Sequence, residues 1–300
     1  MALSRDALWP RAGSWPAPAG GALDLSLIGI PTWRTSLSVT GAAATPAAVR
    51  AALAYYSEFL VPDRTVTGGG RLEFVAADWG DVEEPDGSED AAITAVSDAA
   101  ERSRIVVALG GDNAATVPTA LGTWGNRLPS AGLVTLDAHH DLRDGVSNGS
   151  PVRRLIEAGL AAHRVVQIGI ADFANSADYS ARAADYGITV IHRDELHRRP
   201  MTDVMAEAFE LAGSAGGPIH VDFDVDVCDR SVAPACPASV PGGISAWELR
   251  AAARAAGAHP AVESVDFVEV DWAADSPDGR TVRLVALCVL EIAAGLGLRA

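Results

Sequence analysis

Two short acidic runs carry the chemistry legible in this chain. In the first, Asp137, His139 and Asp141 alternate with Ala138 and His140; in the second, Asp222, Asp224 and Asp226 alternate with Phe223 and Val225. Residues two apart on an extended chain point to the same side, so each run gathers its acidic groups on one face. So many carboxylates in one place repel each other unless cations compensate. Carboxylates with one imidazole suit a hard or borderline divalent ion such as Mn2+. Roughly four to six such ligands can bridge a pair of ions, a recurrent device for activating water in hydrolysis. A lone Asp-x-Asp at a strand end is more often a loop cap or a solvated charge. Two clusters, one of them containing His139, reverse that preference. His140 is expected to face away from His139 and not to ligate. His163, His192, His197, His220 and His259 have no ligand-like company and read as structural or surface residues.

The elements that must position these groups follow from the hydrophobic pattern. Short apolar runs read as strands at Leu25–Ile30, Leu72–Ala76, Ile105–Leu109, Leu133–Leu136, Val165–Ile170, Ile188–His192, Ile219–Phe223 and Val265–Val270. Helical stretches alternate with them near Pro46–Ser57, Asp90–Ser103, Pro151–Ala161, Ala177–Tyr186, Asp203–Ala212, Ala246–Ala256 and Thr281–Leu296. Continuous apolar strands imply a sheet covered on both faces, and the β-α alternation implies a mostly parallel sheet in a three-layer α/β/α fold. No internal repeat or Pro/Gly/Ser-rich linker divides residues 1–300, so one domain is expected. Met1–Gly21 reads as an irregular arm and Asp63–Gly70 as a loop. In open parallel sheets ligands bind beyond the carboxyl ends of the strands. Three predicted strands run into acidic or other metal-competent residues there: Ile105–Leu109 into Asp112 and Asn113, Leu133–Leu136 into Asp137–Asp141, and Ile219–Phe223 into Asp224 and Asp226.

Composition narrows the function classes. The 300 residues are 49% hydrophobic and 21% charged, with a net charge of -16. A strongly acidic chain is poorly suited to nucleic acid or anionic membrane, which attract basic surfaces, so a small-molecule substrate is expected. No uncharged apolar run reaches the ~20 residues that span a bilayer, and Met1–Pro10 lacks the apolar core of a secretion signal. Cys228, Cys236 and Cys288 are an odd set without a Cys-x-x-Cys spacing, which suits a reducing, cytoplasmic setting.

The motifs together resemble the arginase/agmatinase/formimidoylglutamase family of ureohydrolases. The residues that carry the resemblance are Gly110-Gly111-Asp112-Asn113, Asp137-Ala138-His139-His140-Asp141 and Asp222-Phe223-Asp224-Val225-Asp226, followed by Pro241-Gly242-Gly243 and Asp266-Phe267-Val268-Glu269. Asp78-Trp79-Gly80-Asp81-Val82 matches an early family motif in the right order. The resemblance implies an arginase-like fold, a homo-oligomer (trimer or hexamer) and two Mn2+ per subunit. It implies that Asp137 and Asp224 bridge the ions, that Asp141 and Asn113 complete one shell, and that His139 and Asp226 complete the other. It further implies that Glu269 orients a planar amidine and that Asp141, or another acid behind the ligands, can pass a proton to the leaving nitrogen. Two departures stand out. Asn113 replaces a family histidine with a weaker ligand, which leaves the filling of one metal site open; as an alternative, Asn113 caps a helix over Ala114–Leu121. Asp222 replaces a serine, adding a charge that can ligate, support a ligand or pair with an arginine.

Ser147-Asn148-Gly149-Ser150-Pro151 resembles a run in bacterial formimidoylglutamases, where arginases and agmatinases place His-Gly. It implies N-formimidoyl-L-glutamate as substrate, with Asn148, Ser150, Arg153 and Glu269 as contacts. Arg143, Arg153, Arg154 and Arg230 are the candidate partners for its two carboxylates, and at most one of the adjacent Arg153 and Arg154 is expected to point inward. The alternatives are an agmatinase or another guanidino-compound hydrolase, or a catalytically degenerate homologue that binds metal or ligand only. Trp33 and Trp272, near strand ends, are pocket candidates with core packing as the competing reading.

Overall fold

The computed structural model describes residues 6–61 and 70–299. Residues 63–69 of the expected loop and residues 1–5 of the arm lie outside them; Gly70 pairs with Leu60 in a two-residue antiparallel ladder. Among the described residues, eight strands build one parallel sheet: β1 Leu23–Ile30, β2 Ala76–Asp81, β3 Ser103–Gly110, β4 Gly132–Leu136, β5 Val165–Ile170, β6 Thr189–His192, β7 Ile219–Asp224 and β8 Val262–Val268. Their order across the sheet is β2-β1-β3-β8-β7-β4-β5-β6. The main helices are α1 Thr45–Leu53, α2 Glu89–Ala100, α3 Thr116–Trp124, α4 Pro151–Ala158, α5 Ala177–Tyr186, α6 Met201–Ala212, α7 Ala246–Ala258 and α8 Arg280–Leu296.

Alternate strand residues point to opposite faces, and helices cover both. Leu25, Val107, Val221 and Val265 pack with α1, α6, α7 and α8. Ile28 and Val106 meet α2, whereas Leu133 and Val165 meet α3, α4 and α5. This two-sided burial is why Ile105–Leu109 is apolar at every position and essentially unexposed. Helix ends follow local chemistry. Ser176 Oγ accepts the Tyr179 N–H at the start of α5, and Gly187 ends it in the left-handed region. Ser245 and Glu248 close a reciprocal cap on α7.

Two elements differ from the sequence-based expectation. The edge strand is Ala76–Asp81 and not Leu72–Ala76. Its polar residues are held by Arg50, whose guanidinium bonds both oxygens of Asp78 at 2.8 and 2.9 Å and also reaches Asp81. Helix α3 begins after a 3-10 turn whose cap is Asp112, accepting from Ala114 N, so Asn113 is not the cap. Its threonines turn inward on their own helix: Thr119 and Thr123 donate to carbonyls four residues back.

The order β3-β8-β7-β4 makes four strands neighbours although they come from distant parts of the chain. Their carboxyl ends deliver residues 110–113, 266–269, 224–226 and 137–141 to one place. The Gly110-Gly111 step is required there, since a Cβ on Gly111 would lie 2.0 Å from the Thr32 carbonyl oxygen.

Candidate metal centre

Asp137, Asp141, Asp224 and Asp226 converge at these strand ends, each less than a tenth exposed. Two sets of potential ligands, each mutually within 4.8 Å, share Asp137: one adds His139 and Asp226, the other Asp141 and Asp224. Backbone donors fix several oxygens. Ala138 N donates to Asp226 at 3.1 Å, Asp226 N to Asp224 at 2.9 Å and His139 N to Asp137 at 2.6 Å. The second Asp137 oxygen is buried with no hydrogen-bond partner among the described residues. A buried carboxylate oxygen left bare is costly, and together with the all-oxygen-plus-imidazole donor set it fits a divalent ion.

Without metal, the charges respond to one another. Burial, then repulsion from Asp226, raises Asp137 to about 6. Burial likewise lifts Asp141 and Asp224 well above the usual carboxylate range, with Asp137 and Asp226 respectively adding repulsion. Burial also works against ionised Asp226, but its bond to His139 outweighs that and holds it low. For His139, burial opposes the charge, yet Asp137 at 3.4 Å and Asp226 at 2.9 Å hold the imidazolium up to about 11. Asp141 (φ 51°) and Glu269 (φ 60°) both occupy the left-handed backbone region, which costs about 1–3 kcal/mol for a side chain other than glycine.

Asn113 lies inside this cluster and presents its NH2 group to it. Nδ2 donates to Asp141 at 2.6 Å and to Asp224 at 3.2 Å, while the amide oxygen accepts from the Thr116 hydroxyl at 2.6 Å. Glu269 Oε1 accepts from Asn113 N and from Asn148 Nδ2, both at 2.8 Å. Burial raises Glu269 to about 7 against these two bonds. Beneath the centre, both Asp222 oxygens are buried with no hydrogen-bond partner, an arginine included, among the described residues. Burial and the adjacent Asp266 push Asp222 well above its normal range. His220 bridges Ser264 (2.8 Å) and Asp266 (3.2 Å) in the same buried layer.

A cavity of about 440 Å³ opens over the centre, with Asp141, Asp224, Asp226 and Glu269 on its floor and Arg143 and Phe173 among its walls. Two expected substrate contacts, Arg153 and Ser150, lie outside the cavity lining. Arg153 is consumed within the protein, donating to the Arg143 and Gly145 carbonyls and pairing with Glu157. Ser150 exchanges hydrogen bonds with Ser147 and so locks a turn. Arg154 pairs with Glu89, and Arg230 donates to the Cys236 and Pro237 carbonyls. Arg143 alone of the four lines the cavity; it sits 6.0 Å from the Tyr179 ring centroid and makes no ion pair among the described residues. Trp33 and Trp272 are about half exposed and outside the cavity lining.

Sequence reasoning missed the roles of Asn175 and Gln167. Asn175 takes the His140 N–H at 3.0 Å and donates to the Ala138 and Ala171 carbonyls, stapling the ligand loop to the end of β5. Gln167 donates to the His140 carbonyl and meets its ring at 2.7 Å, turning that ring away from the centre as expected. The sequence signal was an amide inside the apolar strand Val165–Ile170, at Gln167, and a second in the turn that follows it, at Asn175.

A sequence model of the arginase family matches residues 23–295. A formimidoylglutamase of Halalkalibacterium halodurans is 32% identical over 257 residues, covering 82% of this chain and 79% of that protein. A guanidinopropionase of Pseudomonas aeruginosa is 35% identical over 203 residues, covering 61% and 60% respectively. The crystal structure of a Bacillus subtilis formimidoylglutamase superposes with a TM-score of 0.87 at 27% identity, over 99% of this chain and 95% of that one.

Proposed function

From the premise that this chain belongs to the arginase family, a match that spans most of its length, we propose that it hydrolyses the amidine C–N bond of N-formimidoyl-L-glutamate to formamide and L-glutamate. The carrying observation is the pair of ligand sets that share the buried Asp137 and present His139, Asp141, Asp224 and Asp226 to a cavity also lined by Glu269 and Arg143. Asp137, His139 and Asp226 would hold one ion, and Asp137, Asp141 and Asp224 the other. The carboxylates with one imidazole favour Mn2+, two per subunit. Bound divalent ions supply a polarised water at neutral pH. Asn113 presents NH2 toward the second set, so its oxygen would serve as a ligand only after the amide turns over.

The residues themselves do the rest. Glu269 has one oxygen committed to two donors; the other is available to the amidine N–H groups and fixes the plane of the reacting carbon. As water adds to that carbon, its proton passes to the Asp141 carboxylate, and Asp141 returns that proton to the glutamate nitrogen as the C–N bond breaks. Arg143 meets a substrate carboxylate at the mouth. A cationic substrate such as agmatine finds repulsion there.

Arg143 suits a guanidino acid as well, and the guanidinopropionase relative makes that the second reading. Assaying formimidoyl-glutamate, guanidinopropionate, guanidinobutyrate, arginine and agmatine with Mn2+ separates them. Turnover of a guanidino acid with none of formimidoyl-glutamate transfers the assignment. The same reading includes one domain, a trimer or hexamer measurable by light scattering, and a cytoplasmic setting consistent with three buried free cysteines. No helix among the described residues is long and apolar enough to cross a membrane.

A further inference from the structure

We propose that Asn148 is a positioning residue: a strut that couples the strap over the cleft mouth, residues 33–40, to the carboxylate of Glu269. The inference rests on the role assigned to Glu269 above. Asn148 uses both ends of its amide. Nδ2 donates to Glu269 Oε1 at 2.8 Å, and Oδ1 accepts from Leu37 N at 3.1 Å. Its own N–H donates to the Thr35 carbonyl at 3.1 Å. A carboxylate at one end and a backbone N–H at the other allow only one amide orientation.

The strap lies at the entrance. Leu37 and Ser38 line the cavity, and Leu37 is 61% exposed. Thr35 ties the same segment to the turn after β3 through its hydroxyl, which donates to Asp112 at 3.1 Å. Glu269 thus has two anchors of different kinds. Asn113 N belongs to the buried end of β3, whereas Asn148 is bonded to an exposed strap. A substrate touching Leu37 and Ser38 therefore bears on the orientation of Glu269 through one side chain. Reaction rate depends steeply on that orientation, since a 1 Å displacement can cost about a hundredfold.

The test is a double-mutant cycle on the metal-loaded full chain, with formimidoyl-glutamate as substrate. Asn148→Ala removes the strut; Leu37→Pro removes the strap N–H that holds it, and Leu37→Ala, which keeps that N–H, controls for the side chain lost at the cleft mouth. Asn148→Ala lowers kcat by about 10- to 100-fold with KM changed by less than about threefold. Leu37→Pro lowers kcat by about fivefold or more, and the double variant is within about twofold of Asn148→Ala alone, because both break one linkage. Additive effects, or full kcat in Leu37→Pro, overturn the proposal. Should Leu37→Pro fold poorly, hydrogen exchange of the strap in metal-loaded Asn148→Ala decides: faster exchange at Leu37 supports the strut, and unchanged protection refutes it. Glu269→Gln in parallel separates the two levels. Full kcat in that variant overturns the role of Glu269 and the strut with it; a slow Glu269→Gln with an additive cycle overturns the strut alone.

Discussion

Replacing Arg143 by alanine tests which substrate this cleft was shaped for. The floor is acidic, so a dicarboxylate approaches an unfavourable field unless metal ions reverse it and a cation receives its tail. Arg143 is the candidate cation, and its energy lies between two limits. An exposed ion pair contributes about 0.2–1 kcal/mol; a charge-assisted hydrogen bond in a drier site contributes about 1.5–3 kcal/mol. Arg143 is exposed, which favours the lower limit, but its stem is seated. A Cβ on Gly149 would come within 2.6 Å of Arg143 Cδ, and the guanidinium sits near the Tyr179 ring. A seated side chain loses less freedom on binding, so about 1–1.5 kcal/mol is expected, or roughly five- to tenfold in affinity. The loss should fall on KM with kcat nearly unchanged, because the carboxylate lies away from the reacting carbon. Steady-state assays of wild type and Arg143→Ala should compare formimidoyl-glutamate with an N-alkylformamidine lacking carboxylates. The preference for the acid falls by that factor. An unchanged ratio between the two substrates refutes the assignment of Arg143 and removes the main physical argument for an acidic substrate.

Asp137→Ala deletes the carboxylate common to both ligand sets; less than half the wild-type metal should survive gel filtration, and a full complement by elemental analysis contradicts the shared role. Metal-free protein should lose stability with rising pH. Asp137 and Glu269, raised to about 6 and about 7, contribute fully below their unfolded values and lose that contribution as pH climbs through the folded ones. His139, raised to about 11, contributes fully below its unfolded value near 6.5 and loses that contribution progressively as pH climbs toward the folded one, which adds to the same trend. Ions need deprotonated carboxylates, so the rise in Tm on adding Mn2+ should grow between pH 5 and pH 7.5; a rise that shrinks is the opposing result. Phe223 is fully buried, stacked 5.0 Å from Phe267 beside Asp224, and Phe223→Ala should cost about 3–5 kcal/mol in urea unfolding; a loss under about 1 kcal/mol would mean the layer repacks freely.

The strand-end acids were legible because the signal is local: a two-residue period converts spacing directly into a shared face. Helix α5 was equally readable, since Ser176 and Gly187 punctuate it. Which arginine faces the cleft was not. Arg153 and Arg143 sit ten residues apart near one motif, and only the folded turn shows that Arg153 is used up on carbonyls at 143 and 145. The direction of the Asn113 amide was not legible, because an amide offers a donor and an acceptor of nearly equal size, and it is the carboxylates of Asp141 and Asp224, both accepting, that select between them. The edge strand was misplaced for a similar reason. Asp78 and Asp81 look unlike strand residues until Arg50, far away in sequence, neutralises them.

The backbone twist at Asp141 and Glu269 has a bearing on protein engineering. Glycine or asparagine relaxes such a position, so libraries ranked by heat tolerance will be drawn toward replacements at these two sites. The hardier clones among them will have surrendered the groups assigned to the chemistry. Any selection for robustness in this scaffold therefore needs turnover as a simultaneous filter, or both codons held constant.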